Sequence, residues 1–62
     1  MSLREIRKQR NISQEKLVEI LYEDKYIIST APISSFECGR SIEQETIDRI
    51  AKVLNVSVKE LY

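Results

Sequence analysis

Apolar residues recur along this 62-residue chain at helical spacing. The clearest set is Ile47, Ile50, Ala51 and Leu54, at i, i+3, i+4 and i+7, which makes one buried stripe and leaves Glu45, Asp48, Arg49 and Lys52 toward water. Leu17, Val18 and Leu21 share a face in the same way. Between such sets the punctuation repeats. Asn11-Ile12-Ser13, Ile27-Ile28-Ser29 and Asn55-Val56-Ser57 each place a β-branched residue before a serine, and four residues beyond each serine stands Leu17, Ile33 or Leu61. Serine suits an N-cap, and the apolar pair around it suits a hydrophobic staple. Ser2 with Glu5 and Ser57 with Glu60 have the spacing of capping boxes. Asn11, Asn55 and Gly39 suit the left-handed residue that closes a helix.

These signals predict helices near residues 3–10, 14–24, 30–38, 42–54 and 58–62. The expected fold is all-α, with five helices, short connections and one domain over residues 1–62. The staples are unevenly spaced, so they are local punctuation and not a solenoid repeat. One glycine, one proline and 32% charged residues fit a compact helical chain better than a disordered or all-β one. At this length only about 60% of the unfolded surface is buried, so stability is marginal and local structure has to contribute.

Composition also limits the chemistry. There is no histidine and one cysteine, so metal sites of ordinary type and His-based acid–base or nucleophile activation are not on offer, and an enzyme is not expected. No cofactor or small-molecule substrate is expected either. Cys38 cannot form an internal disulfide, which fits a reducing compartment, and its best reading is a passive thiol. No apolar run exceeds three residues and no signal-peptide pattern is present, so no membrane contact and a cytoplasmic location are expected.

Ten acidic residues balance ten basic ones, a neutral total that counts against nucleic-acid binding. The total hides an asymmetry. Residues 1–16 carry Arg4, Arg7, Lys8, Arg10 and Lys16 against Glu5 and Glu15, a net +3, whereas residues 17–26 carry Lys25 against Glu19, Glu23 and Asp24, a net −2.

The second and third predicted helices are short, are separated by a break, and place a polar face on the later one. That is the shape of a helix-turn-helix. Leu3-Arg4-Glu5-Ile6-Arg7, Ile12-Ser13-Gln14-Glu15-Lys16-Leu17-Val18 and Ile33-Ser34-Ser35-Phe36-Glu37-Cys38-Gly39-Arg40 resemble the first three helices of the Cro/phage-repressor (Xre-type) family. Thr46-Ile47 and Ile50-Ala51-Lys52-Val53-Leu54-Asn55-Val56-Ser57 resemble its fourth and the start of its fifth, so the resemblance runs from Leu3 to Tyr62. No single motif decides it; the ordered set does. It implies a five-helix, lambda-repressor-like DNA-binding domain.

The resemblance also implies roles. Glu37 pairs with Arg7, tying the third helix to the first. Ser13 and Gln14 sit at the start of the second helix, where open N–H groups and the helix dipole favour a phosphate. Arg10 and Arg40 are placed to reach the DNA backbone, and the N–H groups around Cys38 and Gly39 are further candidates. Base reading falls to Thr30, Ala31, Ser34 and Ser35, because Ile33 and Phe36 point into the core. All four readers are small. None makes the two-pronged bonds of Arg, Lys, Gln or Asn, worth roughly 1–3 kcal/mol each in discrimination, so DNA shape should carry more of the specificity.

Three features depart from the family pattern. Tyr22-Glu23-Asp24-Lys25-Tyr26 is additional and lacks the usual turn glycine, leaving either a longer second helix or a looser turn. Tyr22 and Tyr26 could form one stripe on such an extended helix, packed in the core or against a partner. Pro32 biases Ala31 away from helical angles, so the third helix starts either at Thr30 or at Pro32 itself. The loop after Gly39 is short, with Ser41 and Glu43 as alternative caps for the fourth helix and the aim of Arg40 depending on it.

Two functions compete on these residues. The first is a sequence-specific regulator, a repressor or phage-type switch protein, that binds double-stranded operator DNA as a homodimer. The dimer contact would use Val58, Leu61 and Tyr62. The second is a protein-interaction module on the same fold, such as an antitoxin or anti-regulator, motivated by the neutral charge and the small reading face.

Overall fold

The computed structural model describes residues 2–62. They form α1 (Leu3–Arg10), α2 (Gln14–Glu23), α3 (Thr30–Glu37) and α4 (Gln44–Leu54), followed by a 3₁₀ turn over Val58–Leu61. The fifth element is therefore not an α-helix. Its bonds run from Glu60 N–H to the Ser57 carbonyl at 3.1 Å and from Tyr62 N–H to the Lys59 carbonyl at 3.4 Å, the i→i+3 pattern of a short tight turn. The same geometry undoes the expected Ser57–Glu60 capping box. The Glu60 N–H is already taken by the Ser57 main chain, and the Ser57 hydroxyl makes no cap bond.

The other starts follow their sequence signals unevenly. Ser2 and Glu5 form the capping box, at 3.3 Å from Glu5 N–H to Ser2 Oγ and 3.1 Å from Ser2 N–H to Glu5 Oε1. Ser13 caps α2 through Lys16 N–H at 3.0 Å. Ser29 is the N-cap of α3, which starts at Thr30 and not at Pro32, yet its hydroxyl bonds no backbone N–H. A serine cap usually reaches the second or third N–H of the helix, and here the third residue is Pro32, which has none. The N-cap of α4 is Glu43, in extended backbone and without a side-chain bond.

All four helices stop in the same way. The backbone turns left-handed at Asn11, Lys25, Gly39 and Asn55, and the next N–H reaches back five residues: Ile12 to Arg7, Tyr26 to Leu21, Arg40 to Ser35 and Val56 to Ala51, each at 2.9–3.0 Å. Lys25, at φ 65°, thus stands where a glycine is usual, and the extra residues after Leu21 make an ordered stop and not a loose turn. An L-residue in this region costs about 1–2 kcal/mol, partly offset by the greater chain entropy of glycine. Lys25→Gly is therefore expected to stabilise the protein by roughly 0.5–1 kcal/mol, read as a raised denaturant midpoint at unchanged slope.

The core takes Leu3 and Ile6 from α1, Leu17 and Leu21 from α2, Ile33 and Phe36 from α3, Ile47, Ile50, Ala51 and Leu54 from α4, and Leu61 from the last turn. Ile12, Ile28 and Val56, the staple residues before the three serines, pack against it. Burial of Ile33 and Phe36 fixes the roll of α3, turning Ala31 and Ser34 to solvent with Thr30 and Ser35 at the flanks.

The loop from Asp24 to Ser29 is stitched to α4. Tyr26 Oη and Thr46 Oγ1 lie 2.8 Å apart, satisfying the one buried polar side chain of α4. The Arg49 guanidinium sits 5.2 Å from the Tyr26 ring centroid, and Asp24 faces Arg49 at 3.7 Å and Lys52 at 3.4 Å. Tyr22 stays exposed on α2. The two tyrosines therefore do not form one stripe, because α2 ends at Glu23 between them.

Candidate nucleic-acid interface

Three elements meet around one carboxylate. Arg7 on α1 donates to Glu37 on α3 through Nε at 2.6 Å and Nη2 at 2.9 Å, a two-pronged pair. Gln14, the first residue of α2, donates to the same carboxylate at 3.1 Å, and Arg7 Nη1 reaches the Ile12 carbonyl at 3.1 Å. The side chains of Arg7 and Glu37 are only 12% and 8% exposed. The arginine–glutamate pair was legible through the family resemblance; the part of Gln14 was not. Its position marked it as a first-turn polar residue, and only the third dimension brings it over Glu37.

Burial is the strongest single influence on Glu37 and pushes its pKa up, but hydrogen bonds from Arg7 and Gln14 and the charges of Arg7 and Arg4 outweigh it. The net direction is down from the ordinary 4.5. The Arg7 guanidinium is raised, chiefly by its hydrogen bond to Glu37. A lowered carboxylate contributes stability that is present above its unfolded value and is lost as pH falls through the folded one. The thermal midpoint is therefore expected to hold above pH ~5 and to fall progressively below pH ~4.5, with Glu37→Gln removing part of that acid dependence. Melts of the parent and of Glu37→Gln at stepped pH check this.

This network places the start of α2 beside α3. Ser13 Oγ is used by Lys16 N–H and the Ser13 carbonyl by Leu17 N–H, so the Gln14 and Glu15 N–H groups have no acceptor among the described residues. Two aligned, open N–H groups at a positive helix end suit an oxyanion. The Gln14 amide spends one N–H on Glu37 and keeps a second. Arg10, in the last turn of α1, and Arg40, after α3, are exposed and pair with no carboxylate among the described residues.

The expectation for the backbone around Cys38 needs correction. Cys38 N–H bonds to the Ser34 and Ser35 carbonyls, Gly39 N–H to Phe36, and Arg40 N–H to Ser35. These donors close α3 and have nothing left for a phosphate. The Cys38 side chain itself is exposed. Thr30, Ala31, Ser34 and Ser35 do lie together along α3, with Ala31 and Ser34 the most open.

Two helices packed on each other, the second with a buried apolar side and a solvent-facing polar one, define a helix-turn-helix unit. The family model described as helix-turn-helix matches residues 3–61, and the chain belongs to that family, of the Cro/phage-repressor, Xre-like type. It is a family of DNA-binding transcription regulators. Comparison with curated proteins gave no match, and neither did comparison with solved structures. No helix among the described residues is long and apolar enough to cross a membrane.

Proposed function

We propose that this protein is a sequence-specific transcriptional regulator, a cytoplasmic repressor or phage-type switch, that binds operator DNA as a homodimer and acts as a single domain. The observation that carries the reading is the Arg7–Glu37–Gln14 cluster, which locks the open N-terminus of α2 to α3. A phosphate held at α2 thereby sets the register of α3 against the bases. Arg10, Ser13, Gln14 and Arg40 hold the backbone, and Thr30, Ala31, Ser34 and Ser35 face base edges. The dimer contact centres on Tyr62 with part of Val58, since Leu61 is consumed by the core of its own subunit.

The test is a salt titration on duplex sites selected from a random pool. If each subunit neutralises about three phosphates, the slope of log K against log salt is expected near −5 for a dimer, and Arg40→Ala flattens it by about 2, one contact per subunit. Arg40→Ala weakens all sequences alike, while Ser34→Ala changes their ranking. The neutral net charge favours a second reading, a protein-interaction module on the same fold. Duplex binding undetectable even at low salt would select that reading.

A further inference from the structure

Ile27 is 78% exposed, Ile28 beside it packs against the core, and Ser29 is exposed again as the N-cap of α3. A lone exposed apolar side chain is ordinary on a protein surface. What distinguishes Ile27 is its place. Of its loop neighbours, Asp24 and Tyr26 turn to α4 and Ile28 is fixed as a staple, while Lys25 and Ser29 stay exposed. Ile27 is the large apolar side chain of the loop left without a partner, and it stands two residues ahead of the N-cap of α3. In a helix-turn-helix the N-terminal end of the second helix approaches the base edges. The reading face of α3 is built of small residues, which lets the helix sit deep and brings the residues just before it to the bases as well. The Ser29 hydroxyl, two residues on, makes no cap bond, Pro32 having no N–H to offer. Asp24, the loop's carboxylate, faces Arg49 and Lys52.

We propose that Ile27 is a specificity-determining residue whose side chain packs on the 5-methyl group of a thymine in the major groove, adding a preference for T·A at one position of each half-site. The thymine methyl is the one apolar projection of the major-groove edge, and an aliphatic side chain recognises it by exclusion of water. This inference rests on the DNA-binding reading above, and deepens it by naming a base contact outside α3.

The experiment takes duplexes selected from a randomised pool by the parent protein and replaces each thymine in turn with deoxyuridine, which removes the methyl alone. One thymine per half-site is expected to lose about four-fold in parent affinity on replacement, the equivalent of one methylene leaving an apolar contact. At that position Ile27→Ala is expected to bind thymine and deoxyuridine equally, while penalties elsewhere persist. Its melting temperature should stay within a few degrees of the parent, since the side chain is exposed. Parent-like thymine penalties in Ile27→Ala overturn the inference. So does a loss of affinity equal for thymine and deoxyuridine and accompanied by a shifted monomer–dimer equilibrium in sedimentation, which would put Ile27 between subunits. Failure of the parent to bind any duplex at low salt overturns the DNA-binding reading together with this one; parent binding with an unaltered Ile27→Ala profile overturns this one alone.

Discussion

Phe36→Ala is expected to abolish cooperative folding at 37 °C. Phe36 is buried on α3, and its ring meets Tyr62 edge-on with centroids 5.1 Å apart, so truncation opens the core and undercuts the last turn at once. Removing a buried phenylalanine side chain costs about 3–5 kcal/mol, against a total of roughly 0.05–0.15 kcal/mol per residue for a small domain. Most of the stability of a chain this short disappears. Tyr62→Ala removes only the exposed half of the aromatic pair and is expected to cost about 0.5–1.5 kcal/mol. Thermal melts followed by circular dichroism check both. A transition in Phe36→Ala within a few degrees of the parent would mean that the ring is not what holds α3.

The second large effect is expected at Glu37. Glu37→Ala leaves the Arg7 guanidinium poorly solvated with only the Ile12 carbonyl for company, and stranding one member of such a pair costs about 3–5 kcal/mol. Arg7→Ala strands the carboxylate less completely, because Gln14 still donates to it, so its loss should be the smaller. The double variant should lose less than the sum of the two, and denaturant midpoints for the three variants give the coupling. Additive losses would reject the pairing. Residual duplex affinity in a folded Glu37→Gln variant should also drop, since one neutral acceptor oxygen cannot hold both Arg7 and the Gln14 amide as the carboxylate does.

Helix starts and stops were legible where a residue type carries the physics by itself. Serine before an apolar fourth residue, and asparagine or glycine after the last turn, mark local hydrogen-bonding solutions that need no distant partner: they bound α1 at both ends, start α2 at Ser13, and stop α3 at Gly39 and α4 at Asn55. The stop at Lys25 was not legible, because lysine has no local preference for the left-handed region; it is held there by the bond from Tyr26 N–H to Leu21 and by the docking of Tyr26 on α4. The last element failed for a related reason. A serine and a glutamate three apart fit both a capping box and a 3₁₀ turn, and here the Glu60 N–H goes to the Ser57 carbonyl and not to its hydroxyl.

Within the interface, Arg7 and Glu37 could be paired from the sequence by resemblance, whereas the tie from Gln14 spans 23 positions and depends on how α2 rolls over α3. The phosphate role expected around Cys38 went wrong by counting N–H groups as open that the stop of α3 consumes. The exposure of Ile27 follows from the seating of Ile28, a choice between adjacent isoleucines that composition does not make.

The left-handed lysine has a consequence for how long the molecule survives in a cell. A small helical chain with mostly local contacts refolds in microseconds to milliseconds, faster than a protease cuts, so its degradation follows the equilibrium fraction that is open and not the rate of opening. A cost of about 1 kcal/mol multiplies that fraction roughly five-fold. Lys25 therefore acts as a setting on turnover. A glycine there is expected to lower the open fraction and slow proteolysis of the folded chain, at the one left-handed helix stop that carries neither asparagine nor glycine.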